Sequence, residues 1–198
     1  MGRNIGFIST RFAGTDGVSL EAAKCAGVFK RNGHACFWFA GLLDRDPANS
    51  FLIPEAAFQH EKNQWIDRQI FGQKRRDSLV TDAIHELKYY LKKQLYEFIR
   101  QFKIELIIAE NVLSIPMHLA LGIALTEILA ETQLPTIAHH HEFYWERPRF
   151  LVNAVGDYLQ MAFPPNLTNI AHVVTNSAAQ EELALRTGIS STIIPNVQ

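Results

Sequence analysis

The sequence predicts a doubly wound α/β domain in three layers, with a mainly parallel sheet between two sets of helices. Three observations carry the prediction. The first forty residues read strand, helix, strand with short connections, the unit that links parallel neighbours. Residues 104–109 are aliphatic almost throughout, as a strand covered on both faces should be. Strand-like and helix-like segments then alternate to the end of the chain, the pattern of stacked βαβ units.

The elements follow in order. Residues 4–9 form a short apolar run that ends in small polar residues and reads as a buried first strand. A glycine-bearing loop over 10–17 leads to a helix over 19–31, with Ser19 as N-cap and Asn32-Gly33 as left-handed stop. Residues 36–40 are the second strand. Residues 51–54 suit a short strand at a sheet edge or end, because Pro54 donates no ladder hydrogen bond. Residues 60–71 read as helical. From Asp77, Ile84, Leu87, Leu91, Leu95, Phe98 and Phe102 recur at steps of three and four, one apolar stripe on a long helix. After the strand over 104–109 comes a helix over 116–132, with Pro116 in its first turn. Residues 135–138 read as strand, 149–161 as helix and 171–175 as strand. A helix capped by Asn176 or Ser177 and closed by Gly188 precedes a last strand over 191–194. No repeat or linker-like stretch divides the chain, so residues 1–198 are expected to form one Rossmann-like domain.

Composition narrows the function. Of 198 residues 47% are apolar and 20% charged, which is ordinary for a globular chain and outside the disordered range. A chain of this length buries roughly 70% of its unfolded surface, enough for a core without staples. The formal charge of −1 argues against a nucleic-acid partner bound by bulk charge. No apolar run reaches the roughly 18 residues of a membrane span. The first residues lead into a strand without the apolar stretch of a secretory signal. Cys25 and Cys36 lack the spacing of a redox pair or a catalytic dyad, so reduced thiols in a cytoplasmic setting are expected.

In a doubly wound sheet, ligands gather at the carboxyl ends of the strands. That directs attention to residues 10–18, 41–46, 110–115, 139–149 and 176–177. The first of these loops carries Gly14, Thr15, Asp16 and Gly17 before a helix whose free amides and dipole favour an anionic group such as a phosphate. The alternative is a turn whose glycines only permit positive φ. The loop is neither a Walker loop nor a G-x-G-x-x-G fingerprint. The second strand ends in Ala40-Gly41 without an acid for a ribose, which argues against an NAD site.

His139-His140-His141-Glu142 is the least ordinary stretch. On an extended segment His139 and His141 share one side and His140 takes the other. A metal would need two imidazoles and a carboxylate converging at about 2.1 Å. Consecutive histidines seldom manage this, so no metal is expected. One histidine hydrogen-bonding a polar ligand is the preferred reading, and a structural or solvated histidine is the alternative. Phe143, Tyr144 and Trp145 interleave with Glu146, Arg147 and Arg149, which suits sugar rings or anionic hydroxy acids, or else an aromatic packing beneath a surface loop. Glu110 and Asn111 end a strand at the same edge, where an exposed carboxylate and amide would hold hydroxyls or else serve a turn. A basic set of Lys74, Arg75, Arg76, Lys88, Lys92, Lys93, Arg100 and Lys103 flanks the long helix. A solvated face is expected there, with peripheral contact to an anionic membrane the lesser alternative.

The order of these features resembles the N-terminal half of a GT-B fold glycosyltransferase of the large retaining group 1 family. The opening strand with Gly14-Thr15-Asp16-Gly17-Val18 is similar to that family's glycine loop, and Asn32-Gly33-His34 to its Gly-His element. Pro135-Thr136-Ile137-Ala138 leading to His141-Glu142 is similar to its proline-to-His-Asp run, with Glu142 where the family has Asp. His172-Val173-Val174-Thr175-Asn176-Ser177 resembles the strand that ends in a serine before a helix. Ile193-Ile194-Pro195-Asn196-Val197 resembles the segment that opens the crossing into a second domain. Residues 110–116 and 139–149 carry a weaker likeness to members that build glycosylated glycerate-type compatible solutes.

The resemblance implies an acceptor-side domain whose donor-binding C-terminal half is absent from residues 1–198. It implies transfer of a hexose with retention, generally without a metal, the nucleotide-sugar donor acting as co-substrate and no other cofactor. By position it sets Gly14 and Gly17, with Thr15 and Asp16 between them, near the donor diphosphate or the reacting sugar. It sets His141 at the sugar near the reacting centre as the catalytic residue, with His139 the alternative if the register differs. Glu110, Asn111 and Arg147 complete the substrate-contacting set. The partners implied are a sugar or small hydroxylated acceptor and the missing half, and this chain alone is expected to be inactive. The alternative is a stand-alone Rossmann-like binding or regulatory module without catalysis. The absence of a Gly-x-Ser-x-Gly elbow argues against a hydrolase.

Overall fold

The computed structural model describes residues 2–196. Their elements, in order, are β1 (Asn4–Ile8), α1 (Gly17–Arg31), β2 (Ala35–Ala40), β3 (Ser50–Leu52), α2 (Glu61–Ile70), α3 (Ser78–Gln101) and β4 (Leu106–Glu110). There follow α4 (Leu119–Thr132), β5 (Thr136–His140), α5 (Pro148–Leu151), α6 (Gly156–Ala162), β6 (Ile170–Val174), α7 (Ser177–Thr187) and β7 (Ser191–Ile193). Among the described residues seven strands form one sheet in the order β3-β2-β1-β4-β5-β6-β7, and every pair is parallel. Helices lie on both sides, so the expected three-layer, Rossmann-like α/β/α architecture is what the chain adopts. The chain winds outward from β1 to β3, then crosses back to β4 and winds the other way. β1 and β4 are therefore neighbours from which the connections diverge, and their carboxyl ends stay uncovered.

Side-chain alternation along the strands feeds a core on each face. Ile8, Phe39, Ile107 and Ala109 belong to the larger core, with the α3 stripe of Ile84, Leu87, Leu91, Leu95 and Phe98 and much of α4. Those five α3 side chains are at most 3% exposed, each contributing about 1.5–3 kcal/mol through burial. On the other face Ile5, Phe7, Trp38 and Ile108 pack against Ala22 and Ala26 of α1. A smaller cluster joins Phe143, Val174, Leu183 and Ile189 around α7. No helix of the described residues is long and apolar enough to cross a membrane. Both cysteines are free.

Several boundaries depart from the sequence reading, each for a local reason. The cap of α1 is Asp16, not Ser19. Its carboxylate accepts from the Ser19 amide at 3.1 Å and the Ser19 hydroxyl at 2.7 Å, so the helix begins two residues earlier. Pro116 precedes α4 rather than lying in it, because His118 caps the helix. The fourth strand is shifted, from the expected 104–109 to Leu106–Glu110, and the fifth reaches His140, because ladder pairing continues between Glu110 and His139 and between His140 and Val174. The single helix expected over 149–161 is two, α5 and α6. The intervening chain bonds to the end of α2, where the Ala154 amide donates to the Ile70 carbonyl at 2.9 Å. Val197, quoted in the terminal motif, lies outside the described residues.

Lys74, Arg75, Lys93, Arg100 and Lys103 of the basic set are exposed, as expected of a solvated face, but Arg76, Lys88 and Lys92 are not. Lys88 is 4% exposed and donates to Glu127 of α4 at 2.8 Å. Lys92 bridges Glu127 and Glu131. Arg76 binds Asp157 and the Ala154 carbonyl. The acids that pair these three come from α4 and α6, so a reading confined to one segment misses them.

Gly41, just after β2, makes one demanding contact. A Cβ there would lie 1.9 Å from the Ala57 amide nitrogen, backbone that cannot swing aside. Gly41→Ala is expected to destabilise the fold by about 3 kcal/mol or more, read as a lowered urea midpoint. An unchanged midpoint would contradict the close packing of the two segments.

Candidate functional site

The carboxyl ends of β1 and β4, with the loops that leave them and β5, wall a cavity of about 240 Å3. Its lining includes Arg11, Asp16, Glu110, Asn111, Glu142 and Arg147. A larger groove of about 430 Å3 between α2 and α3 includes Trp65, Ile66 and Leu87 in its lining. That groove lies away from the strand ends, and no residue expected at the site lines it.

Glu110 organises the strand ends. The sequence suggests an exposed carboxylate there; the structure instead buries it completely, at 0% exposure. One oxygen, Oε2, lies 3.0 Å from His139 Nδ1 and 3.1 Å from His141 Nε2. The two rings share one side of β5, as strand alternation predicts. Burial alone would raise the Glu110 pKa, but bonds and charge from His139 and His141 outweigh it and hold the carboxyl below its ordinary value. Burial likewise works against a charged His139, yet Glu110, and Glu21 further off, raise its pKa overall.

These three donor atoms lie within 4.8 Å of one another, so the convergence not expected of consecutive histidines does occur. The missing partner was a carboxylate from another strand. Each contact has hydrogen-bond length, with Oε2 serving both imidazoles.

His140 faces the other way, 1% exposed, with Nε2 2.9 Å from Nδ1 of His172. Burial, then the neighbouring imidazoles, drive the His140 pKa well below the usual value. Burial takes His172 down to about 4. This pair is the structural histidine reading of the run.

Asn111 closes the corner. Its φ of +60° is left-handed, which Asn tolerates better than most side chains. Its amide donates to the His139 carbonyl at 3.0 Å, and its side-chain oxygen accepts from the His141 amide at 2.9 Å. Arg147 forks onto Glu142, and Arg11 pairs with Asp16 at 2.9 Å. Each arginine in the cleft wall is thus held by a carboxylate of its own chain.

Of the expected residues, Asp16, Glu110, Asn111 and Arg147 line the cleft. His139 and His141 are outside the lining but bond to Glu110, which is in it. Gly14, Thr15 and Gly17 are exposed and lie outside the lining as well. Gly14 needs its φ of +76°, and its amide already donates to Asp44 at 2.7 Å. Gly17 differs in its backbone, which is not left-handed, while a Cβ at either glycine would meet nothing within 4 Å. Phe143 and Trp145 stack on each other, and the indole donates to Glu182 of α7, so here the packing alternative holds.

Sequence reasoning missed Arg11 and His118. His118 caps α4 through Nδ1, which accepts from the Leu121 amide at 3.2 Å, while Nε2 lies 2.8 Å from the Glu55 carbonyl. Its position just before an apolar run was the available signal. Burial takes its pKa down to about 4.

No protein-family model matches the chain. Two curated relatives do, each named mannosylglucosylglycerate synthase, a glycosyltransferase. The protein from Petrotoga mobilis is 31% identical over 98% of this chain and 44% of its own length. The one from Thermotoga maritima is 30% identical over 92% of this chain and 42% of its own length. The chain spans less than half the length of the curated relatives it matches.

The neutral buried imidazoles set a pH dependence. His118 and His172, with folded values near 4 against 6.5 unfolded, bind protons less readily in the folded chain, and His140 shifts the same way. Their contribution is fully present above pH 6.5 and is lost as pH falls toward 4, by up to about 3 kcal/mol for one such imidazole. His139, shifted oppositely, offsets part of this. Urea unfolding is expected to give lower stability at pH 5 than at pH 7.5; a flat profile would contradict it.

Proposed function

We propose that the chain is the acceptor-side domain of a retaining glycosyltransferase of GT-B type, taking a hexose from a nucleotide sugar held by a second half. The observation that carries the reading is the polar cleft at the β1–β4 switch point, with the Glu110–His141 pair in its wall and immediately beside it. The relatives support the class of chemistry, since almost the whole chain aligns with part of a glycosyltransferase.

The cleft also suits an acceptor of a particular kind. A product named mannosylglucosylglycerate carries a glycerate carboxylate beside many hydroxyls. Arg11 and Arg147 are each engaged by one carboxylate, Asp16 and Glu142. An incoming carboxylate can exchange for either partner and keep the guanidinium paired. Asn111 supplies a neighbouring polar group. Gly17 supports a donor approaching across α1, because neither backbone conformation nor packing requires a glycine there. In this scheme the domain fixes the acceptor hydroxyl and His141 contacts the transferred sugar. The donor half completes the near-attack geometry, so this chain alone is expected to be inactive.

The test is mannosyl transfer from a nucleotide-mannose to glucosylglycerate by an enzyme carrying this domain together with its donor half. His141→Ala is expected to lower kcat roughly a hundredfold, and wild-type turnover in that variant would overturn the assignment. Arg147→Ala is expected to raise KM about tenfold for the acid acceptor but not for its methyl ester. Equal effects on both acceptors would remove Arg147 from carboxylate recognition.

A further inference from the structure

We propose that Glu110 is a positioning residue for His141: by accepting a hydrogen bond from Nε2–H, it fixes the ring in the tautomer whose Nδ1 is bare. His141 then meets a ligand only as a hydrogen-bond acceptor, so it takes a hydroxyl and turns away carboxylate or phosphate oxygens. The specificity consequence rests on the transferase reading above, whereas the tautomer lock does not.

The inference starts from what an ionised carboxylate can do. It has acceptors and no proton to give, so a ring nitrogen bonded to it must carry the proton. Glu110 Oε2 lies 3.1 Å from His141 Nε2 and 3.0 Å from His139 Nδ1, and the carboxylate has no exposed surface. Both bonds therefore consume N–H groups of the imidazoles. The His139 bond helps keep the buried carboxyl ionised, while the His141 bond selects a tautomer.

The ring cannot readily turn to evade this choice. The His141 amide is tied to the Asn111 side chain at 2.9 Å, and its ring centroid lies 4.3 Å from that of His139. The other nitrogen, Nδ1, faces the exposed side-chain amide of Asn196, whose nitrogen is 3.4 Å away. That contact is long and lies at the surface, so a ligand hydroxyl can replace it at little cost. A phosphate or carboxylate oxygen placed there would bring lone pair against lone pair. The anionic parts of substrates must then be met elsewhere, which agrees with the placement of Arg11 and Arg147 in the cleft wall.

The test is long-range proton–nitrogen NMR on the 15N-labelled chain at a pH where His141 is neutral. The wild type is expected to show one tautomer of His141, with an Nε2 proton that exchanges slowly with water. Glu110→Leu removes the acceptor, and Glu110→Asp keeps the charge but shortens its reach. Either is expected to release the lock, giving averaged ring nitrogens and loss of exchange protection. His139→Asn is expected to leave the lock in place. A wild-type His141 protonated at Nδ1, or averaged between tautomers, would overturn the proposal even if no Glu110 variant folds. So would a lock that survives Glu110→Leu, or a zinc titration that removes both ring N–H signals stoichiometrically. Failure of the transferase reading would leave these signals as they are, so the two can fail separately.

Discussion

A carboxylate cut off from water at the end of a parallel strand is costly unless its charge is met. At Glu110 it is met by two imidazoles from the neighbouring strand, both reaching a single oxygen. That arrangement fixes where the rings of His139 and His141 sit. It gives Asn111 its task of holding the main chain at the corner. It also leaves the wall of the cleft with a charge that burial alone would have neutralised.

The fold makes this meeting possible by register. Parallel pairing sets Glu110 beside His139, and the period of two brings His141 to the same side while sending His140 into the opposite layer. The four consecutive residues His139 to Glu142 thereby serve three different purposes: a charge clamp, a buried neutral pair with His172, and a counterion for Arg147. The winding reversal between β1 and β4 keeps connections off these strand ends. Gly41, pressed against Ala57, holds the chain after β2 close to the turn that follows β3.

Local pattern was enough to reveal most of the scaffold. The α3 stripe, the aliphatic fourth strand and the glycine stop at Gly188 are properties of neighbours in sequence, and the structure has all three, with the strand shifted to Leu106–Glu110 and Phe102 at the C-cap of α3. What pattern misses is the pairing of distant groups. Glu110 reads as a turn acid until β5 is laid beside it, and Lys88 reads as solvated until α4 supplies Glu127. The side shared by His139 and His141 was legible from alternation; the carboxylate between them was not. Asp16 shows a smaller failure of the same kind, since its carboxylate takes both the amide and the hydroxyl of the serine expected to cap the helix.

All of this depends on Glu110 carrying its charge in the buried state. The direct measurement is the 13C shift of its side-chain carboxyl in the folded chain, followed from pH 7.5 down to pH 5. The clamp requires an ionised carboxylate throughout that range, with protonation only below the ordinary glutamate value of about 4.3. A carboxyl that titrates between pH 5 and 7.5 would mean that burial prevails over the two imidazoles. The bridge between β4 and β5 would then be a neutral contact with no hold on His141.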